Sequence, residues 1–219
     1  MRQRRQRTSA VSAFFINTGR HKSALHFSCA RGNSESMPRQ HQPERRKIRM
    51  KHPFIPDIMF DSIHDITPDY LLSKGIRAVV LDIDNTLVTY GMPEPTAEVT
   101  NWIEALQAKG ISVALASNNG RERVERFNKK LGVFTTYKSG KPSPRAVFAA
   151  CGHFGVRPEE TAVIGDQIFT DVCCAKRAGA LAILVTPLPY DENLFFKFKR
   201  LMEKPFIRAY RRKQERKHG

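Results

Sequence analysis

Short apolar runs in the middle of the chain alternate with segments in which apolar residues recur every three or four positions. The runs lie at residues 76–81, 111–116, 133–137, 161–164 and 181–185. Because most of them are almost continuously apolar, they are typical of strands buried on both faces of a parallel sheet. The pattern predicts an α/β fold with a doubly wound, mainly parallel sheet.

Helices are predicted between these runs, at residues 95 or 96 to 109, 121–131, 144–154 and 170–178. The first has a core-facing stripe with i, i+3, i+4, i+7 spacing, made of Val99, Trp102, Ile103 and Leu106. In the third helix, Val147 and Phe148 are expected to face the core.

Residues 53–72 precede the first run and mix large apolar residues with evenly spaced acids. Asp57, Asp61, Asp65 and Asp69 recur every four positions, which predicts one acidic helical face. Prolines at 53, 56 and 68 restrict such a helix to the middle of the segment. We interpret these residues as a lead-in that docks on the domain or touches a membrane.

Basic charge is concentrated at the two ends of the chain. Residues 1–51 hold 13 Lys/Arg and 2 Asp/Glu, residues 52–190 hold 14 and 15, and residues 191–219 hold 10 and 4. The middle is thus close to neutral, whereas both ends are suited to an anionic surface such as membrane lipid, nucleic acid or the ribosome.

We expect three regions: a disordered basic extension (1–50), a folded domain (51–190) and a basic amphipathic segment (191–219). Three explanations of the extension stay open: a mitochondrial transit peptide, a nucleic-acid-binding arm, or a true start at Met50, which we favour. The C-terminal segment either lies on an anionic membrane, packs on the domain with a solvated tail, or contacts RNA, the least favoured.

Cysteine usage and hydropathy limit the setting of the protein. Its four cysteines, Cys29, Cys151, Cys173 and Cys174, lack the paired spacing of a zinc site, so we expect reduced thiols in a reducing compartment. No apolar run approaches the roughly 20 residues needed to cross a bilayer. We therefore expect a soluble or peripheral protein.

Candidate chemistry begins where the first run ends, at Asp82-Ile83-Asp84. Ligands of open α/β sheets bind beyond the carboxyl ends of the strands, where Asp82 is expected. Two carboxylates so close together repel unless a cation intervenes, which suggests Mg²⁺. A carboxylate can also attack a phosphoryl group, with the second carboxyl as general acid and base. The alternative is a polar turn after a strand.

Polar residues also follow two later runs. Ser117 and Asn118 come before a predicted helix and suit either an anion site or an ordinary helix cap. Asp166 and Asp171 suit completion of a metal site, or a cap in the case of Asp171. Lys141 lies in a proline-rich loop, where a lysine can offset the charge of a phosphoryl transition state or simply solvate the surface.

Taken in order, the motifs DIDNT, ASNN, SGKPSP and GDQIFTD resemble those of the haloacid dehalogenase-like phosphohydrolases. The resemblance covers about residues 76–188. The stretch FIPDIMFDSIHDITPDYLLSKGIRAVVLDIDNTLV also resembles the start of the YqeG-type branch of subclass IIIA. That branch includes mitochondrial and bacterial phosphatidylglycerophosphate phosphatases.

The resemblance implies a role for each candidate residue. Asp82 would be the nucleophile, and Asp84 the general acid and base. Mg²⁺ would be bound by the Asp82 carboxylate, the Asp84 backbone carbonyl and Asp166, with Asp171 nearby. The phosphoryl group would be bound by a set of three, Ser117, the amide of Asn118 and Lys141. The implied reaction is hydrolysis of a phosphomonoester through an aspartyl-phosphate.

Spacing between the motifs bears on the substrate. Only 32 residues separate Asp84 from Ser117, and 24 separate Lys141 from Asp166, which leaves no room for the cap domain of many relatives. The zinc-loop cysteines of some other capless relatives are also absent, which argues against sugar-phosphate and histidinol-phosphate branches. An open site suits a large or membrane-embedded phosphate.

We therefore expect a Mg²⁺-dependent phosphatase acting on phosphatidylglycerophosphate. It would work in the cytoplasm at the inner face of the membrane, or in the mitochondrial matrix if residues 1–50 are a transit peptide. Two alternatives remain: a soluble nucleotide or sugar-phosphate phosphatase, and a non-catalytic module that binds RNA or membrane on the same scaffold.

Overall fold

The computed structural model describes residues 52–189 and 194–218, so the predicted extension of residues 1–50 and Cys29 lie outside the described residues. The described part contains one six-stranded parallel sheet with the strand order β1-β6-β5-β2-β3-β4. Its strands are β1 (Ile58–Phe60), β2 (Ala78–Leu81), β3 (Ser112–Ala116), β4 (Phe134–Thr136), β5 (Thr161–Gly165) and β6 (Leu181–Val185).

The α-helices are α1 (Pro68–Ser73), α2 (Ala97–Ala108), α3 (Arg121–Asn128), α4 (Arg145–Phe154), α5 (Cys173–Ala178) and α6 (Leu194–His218). Each connection between consecutive strands from β2 to β6 carries one of these α-helices and no separate folded unit. A single π-helical turn, Ile168–Val172, precedes α5. The predicted α/β class with a doubly wound parallel sheet is confirmed.

Strand register aligns the ends of the three central strands. Leu81 in β2 pairs with Leu115 in β3 on one side and with Ile164 in β5 on the other. The residues that follow these strands therefore emerge at the same edge of the sheet, where parallel α/β folds bind ligands.

Apolar side chains cover both faces of the sheet. The stripe predicted for α2 is buried in one layer, where the Trp102 indole Nε1 also donates a 2.9 Å hydrogen bond to the Ile66 carbonyl. The other layer is built by α4 and α5. The expected inward position of Phe148 is wrong: its side chain is 49% exposed. The buried side of α4 is formed instead by Ala146, Val147, Ala150 and Cys151, which leaves Phe148 about 100° around the helix from Val147.

The lead-in differs from its sequence prediction. Its middle is not a helix but β1, which extends the sheet by pairing Ile58 with Ile183 and Phe60 with Val185. A 3-10 helical turn, Ile63–Asp65, comes next, and the first α-helix begins at Pro68, since proline is tolerated in the first helical turn. The acids do not share a helical face: the Asp57 carboxylate accepts the Ala182 amide at the sheet edge. The pairing of β1 with β6 therefore determines the structure of this segment, and the four-residue spacing of its acids does not.

Three of the cysteines, Cys151, Cys173 and Cys174, are buried free thiols. In the described residues, no helix is both long and apolar enough to span a lipid bilayer.

Helix α6 lies within the predicted C-terminal segment 191–219 and packs on the domain. The Phe206 ring contacts the rings of Phe54 and Phe169, with centroids 5.3 and 5.9 Å away. Further along, the Tyr210 hydroxyl accepts a 3.3 Å hydrogen bond from the Met59 amide. These contacts fit the packing explanation of the segment, with its basic residues mostly on the solvated side.

Candidate active site

A cavity of about 260 Å³ lies at the carboxyl edge of the sheet. It is lined by five of the predicted site residues, Asp82, Asp84, Ser117, Asn118 and Lys141. Asp82 directly follows β2 and Ser117 directly follows β3, so strand register alone brings them together. The structure thus groups residues that are up to 59 positions apart in the sequence around one space.

Lys141 is buried between two carboxylates. Its Nζ lies 2.6 Å from Asp82 Oδ1 and 2.7 Å from Asp171 Oδ1. Burial alone would lower the pKa of Lys141, but the carboxylates of Asp171 and Asp82 outweigh it and raise that pKa above its ordinary value. Lys141 therefore stays charged at neutral pH.

The Asn118 side chain fixes the loop that carries Lys141. Its Oδ1 accepts hydrogen bonds from the Lys141 amide at 2.8 Å and from Ser139 Oγ at 2.9 Å. Its Nδ2 donates to the Lys141 carbonyl at 3.1 Å. This positioning role went unnoticed in the sequence, which pointed only to the Asn118 backbone amide.

Three buried carboxylates form one cluster beside Lys141. One oxygen each from Asp82, Asp166 and Asp171 lies within 4.8 Å of the others. Burial raises the pKa of both Asp82 and Asp166, and Asp171 raises them further. Among the described residues, these three acids form ion pairs with the Lys141 ammonium and the Arg200 guanidinium. The remaining negative charge and the all-oxygen donor set fit a hard divalent cation such as Mg²⁺.

The Asp84 side chain is not part of that cluster. Its Oδ2 accepts a 2.6 Å hydrogen bond from Asn119 Nδ2, and its Oδ1 forms a 2.9 Å ion pair with Arg123 Nη2. Asp84 still lines the cavity, with its carboxyl held by two side chains from the start of α3 and the turn before it. Asn119 belongs to the ASNN motif, whereas Arg123 carries no local signal in the sequence.

The helix-cap alternatives do not describe these residues. The N-cap of α3 is Gly120, and no side chain caps that helix. Ser117 Oγ instead accepts the Asn119 amide at 3.1 Å within the turn. Asp171 lies inside the π-helical turn, where its Oδ2 accepts the Gln167 amide at 3.2 Å. Both side chains are buried beside the cavity or the carboxylate cluster.

Helix α6 supplies contacts to the acidic cluster that the sequence did not reveal. The Arg200 guanidinium forms an ion pair with the Asp166 carboxylate and donates to the Asp166 carbonyl at 2.6 Å. Glu203 is buried, accepts the Ile168 amide at 2.8 Å and pairs with Arg200 at 3.2 Å. Burial raises the pKa of Glu203, and these partners oppose that shift. The available signal in the sequence was that Glu203 is one of two acids among ten Lys/Arg across Leu194–His218.

Lys199 reaches the cavity from the same helix. Its ammonium contacts Gln167 Oε1, and both side chains line the cavity together with Thr170. The C-terminal segment is therefore part of the site and not an independent tail.

Gly165 leaves the space that Asp171 occupies. A β-carbon at this position would lie 2.3 Å from the Asp171 carboxyl carbon, far inside van der Waals contact. Because Asp171 is fixed by Lys141 and by the Gln167 amide, it cannot yield without moving the cluster. Glycine is thus required by the close approach of the carboxyl group.

Residues 90–179 match the haloacid dehalogenase-like hydrolase family. The "Probable phosphatase YqeG" of Bacillus subtilis (strain 168) is 35% identical over 164 residues, which cover 75% of this chain and 95% of that protein. The Arabidopsis thaliana "Phosphatidylglycerophosphate phosphatase 1, chloroplastic/mitochondrial" is 26% identical over 151 residues. That match covers 64% of this chain but only 43% of the Arabidopsis protein.

Among solved structures, the cobalt-bound deoxy-D-mannose-octulosonate 8-phosphate phosphatase (YrbI) of Haemophilus influenzae aligns with a TM-score of 0.44 and 20% identity. The alignment covers 63% of this chain and 90% of that structure.

Replacing Gly165 with alanine should displace Asp171 and weaken cation binding. We expect Mg²⁺ affinity, measured by calorimetric titration, to fall by about tenfold or more, as is usual when the support of a ligand is lost. Gly152→Ala is the matched control, because a β-carbon there meets nothing within 4 Å and lies in a helix. Equal affinity in the two variants would contradict the assigned role of Gly165.

Truncating Glu203 should loosen α6 from the domain. Glu203→Ala leaves the Ile168 amide without its buried acceptor, so the free energy of unfolding in urea should fall by about 2 kcal/mol. Glu215→Ala, an exposed acid on the same helix, should change it by less than about 0.5 kcal/mol. Similar losses in both variants would show that the buried contact does not stabilise the helix.

Proposed function

The chain belongs to the haloacid dehalogenase-like hydrolases and is a phosphatase of that family, and we propose that it hydrolyses phosphatidylglycerophosphate through an aspartyl-phosphate on Asp82. The observation that carries the proposal is the position of the Lys141 ammonium, 2.6 Å from Asp82 in a cavity shared with Ser117 and Asp84. A nucleophile, a phosphate-binding cation and a second carboxyl group are thus adjacent.

In the first step, an Asp82 oxygen attacks phosphorus, and the bond from phosphorus to the alcohol oxygen breaks. Asp84 donates a proton to the departing alkoxide. In the second step, water attacks the phosphoryl group while Asp84 removes its proton, which releases inorganic phosphate and restores the Asp82 carboxylate. Asn119 and Arg123 orient Asp84 for both transfers.

The phosphoryl oxygens would be bound by the Lys141 ammonium, Ser117 Oγ and the Asn118 amide. These donors are already fixed by buried contacts, so they need little reorganisation as negative charge develops on the oxygens.

Mg²⁺ is proposed to bind to the carboxylates of Asp82 and Asp166 and to the Asp84 carbonyl, with Asp171 beside it. When bound, it would supply positive charge that offsets the repulsion between the phosphoryl oxygens and the acidic cluster. The support for this set is the mutual proximity of the three buried carboxylates.

Two observations support a phospholipid substrate. Residues 51–190, proposed as the catalytic domain, contain no separate unit above the cavity among their described residues, so a substrate with a large body has access. The similarity to an Arabidopsis phosphatidylglycerophosphate phosphatase is consistent with this class. Such a substrate would bring the enzyme to a membrane surface, which we propose is the inner face.

Lys199 provides a further reason for this choice. Phosphatidylglycerophosphate carries a phosphodiester in addition to the phosphomonoester that is cleaved. The Lys199 side chain lines the cavity near Gln167 and Thr170, where its positive charge suits this second anion.

Asp82→Asn should abolish turnover. Phosphate release from phosphatidylglycerophosphate in detergent micelles with Mg²⁺ should fall by on the order of 10³ or more, as for other nucleophile replacements. Asp61→Asn removes an exposed carboxylate outside the cavity and should retain full activity. Undiminished turnover by Asp82→Asn would exclude this mechanism.

Lys199→Gln separates a lipid substrate from a small soluble one. KM for phosphatidylglycerophosphate in micelles should rise by about tenfold, since one charge-assisted contact is lost, while kcat/KM for p-nitrophenyl phosphate stays within about twofold. Lys213→Gln is the control, because it removes a lysine of α6 outside the cavity. Higher kcat/KM for nucleotides or sugar phosphates than for the lipid would favour the soluble-substrate alternative.

A further inference from the structure

Four large apolar side chains lie exposed on the first half of α6. Leu194 is 85% exposed, Phe198 62%, Leu201 55% and Met202 49%. Their spacing of four, three and one residues places them on one side of the helix. We call this group the apolar face of α6. Clustered exposure of this kind is unusual on a soluble protein surface and marks a contact site.

The contacts on the opposite side of α6 fix the apolar face outward. Glu203 accepts the Ile168 amide, Phe206 packs against Phe54, and Tyr210 accepts the Met59 amide. Rotating the helix to bury the apolar face would break all of these contacts. The contacts that hold α6 on the domain therefore keep the apolar face exposed.

Basic residues flank one side of the apolar face. Lys197, Lys204 and Arg208 are exposed beside it. Across Leu194–His218 there are ten Lys/Arg and two Asp/Glu, and one of the two acids, Glu203, is buried. A second copy of α6 on this face would bring like charges together, whereas an anionic surface would be attracted. The charge therefore favours anionic lipid as the occupant.

The same turn of helix connects the apolar face to the cavity. Lys199 lines the cavity, and Phe198, its neighbour in the sequence, belongs to the apolar face. Because a helix is only about 10–12 Å across, a surface in contact with Phe198 lies within about that distance of the Lys199 backbone. Docking through the apolar face would bring the cavity close to lipid headgroups.

We propose that the apolar face of α6 inserts shallowly into the surface of an anionic lipid bilayer, with Lys197, Lys204 and Arg208 contacting the headgroups. The proposal rests on the proposed function only in taking a phospholipid as the substrate. An amphipathic helix with basic residues and a short apolar face binds such surfaces reversibly, in proportion to both its apolar area and its charge.

The test is co-sedimentation of the purified full chain with lipid vesicles in the absence of any phosphatase substrate. Vesicles contain phosphatidylcholine alone or phosphatidylcholine and phosphatidylglycerol in equal parts. We compare the wild-type chain, Phe198→Ser/Leu201→Ser, and the control Phe148→Ser/Leu72→Ser, which removes two exposed apolar side chains of the same types elsewhere.

The wild-type chain and the control should bind the anionic vesicles equally, and the α6 variant at least tenfold more weakly, with binding to phosphatidylcholine alone weak throughout. Equal binding by the α6 variant and the wild-type chain would overturn the proposal. So would a wild-type dimer in light scattering that the α6 substitutions convert to a monomer, because the occupant would then be a second copy.

If the double variant fails to fold, the single substitution Phe198→Trp provides a second test of insertion. Its added indole fluorescence should shift to the blue on anionic vesicles, over the constant background of the buried Trp102. An unchanged spectrum would contradict insertion. Neither measurement needs turnover, so failure of the proposed reaction would not be mistaken for failure of membrane docking.

Discussion

The arrangement of the site depends on the balance of charge around the Lys141 ammonium. Three carboxylates are buried near the carboxyl ends of β2 and β5, two directly after these strands and one in the π-helical turn that follows β5. Lys141 contacts two of them directly. Without that cation, the buried carboxylates of Asp82 and Asp171 would repel each other, and burial already raises the pKa of Asp82. Asn118 holds the Lys141 loop, and Gly165 leaves room for Asp171. Asn118 and Gly165 therefore both maintain the arrangement of charges around Lys141.

The sheet alone does not complete this balance. Asp166 is paired by Arg200 from α6, which is joined to the domain through Glu203 and Phe206. The helix that carries the exposed apolar face is thus also the helix that supports the third carboxylate. Removing residues 191–219 would disturb both features together, so single side chains are the suitable targets for separating membrane contact from chemistry. A bilayer bound to α6 would therefore contact the helix whose Arg200 pairs with Asp166.

Local patterns in the sequence predicted most of the strands and the site residues that directly follow them. Apolar runs located five of the six strands, and the polar residues after them, Asp82, Ser117 and Asp166, follow from parallel register. Contacts between distant segments were not predictable in this way. The pair of Arg200 with Asp166 spans 34 positions, and β1 was missed because its pairing with β6 outweighs the spacing of its acids. The inward position predicted for Phe148 was also wrong, because the buried side of α4 is formed by its neighbour Val147 and not by Phe148 itself.

The proposed mechanism depends on a covalent bond between Asp82 and phosphorus. Acid quenching during turnover of phosphatidylglycerophosphate should trap the intermediate for mass spectrometry. We expect a phosphoryl group on the peptide containing Asp82, in an amount that rises before free phosphate appears. A phosphoryl group on another residue, or none at any quench time while substrate is consumed, would contradict it.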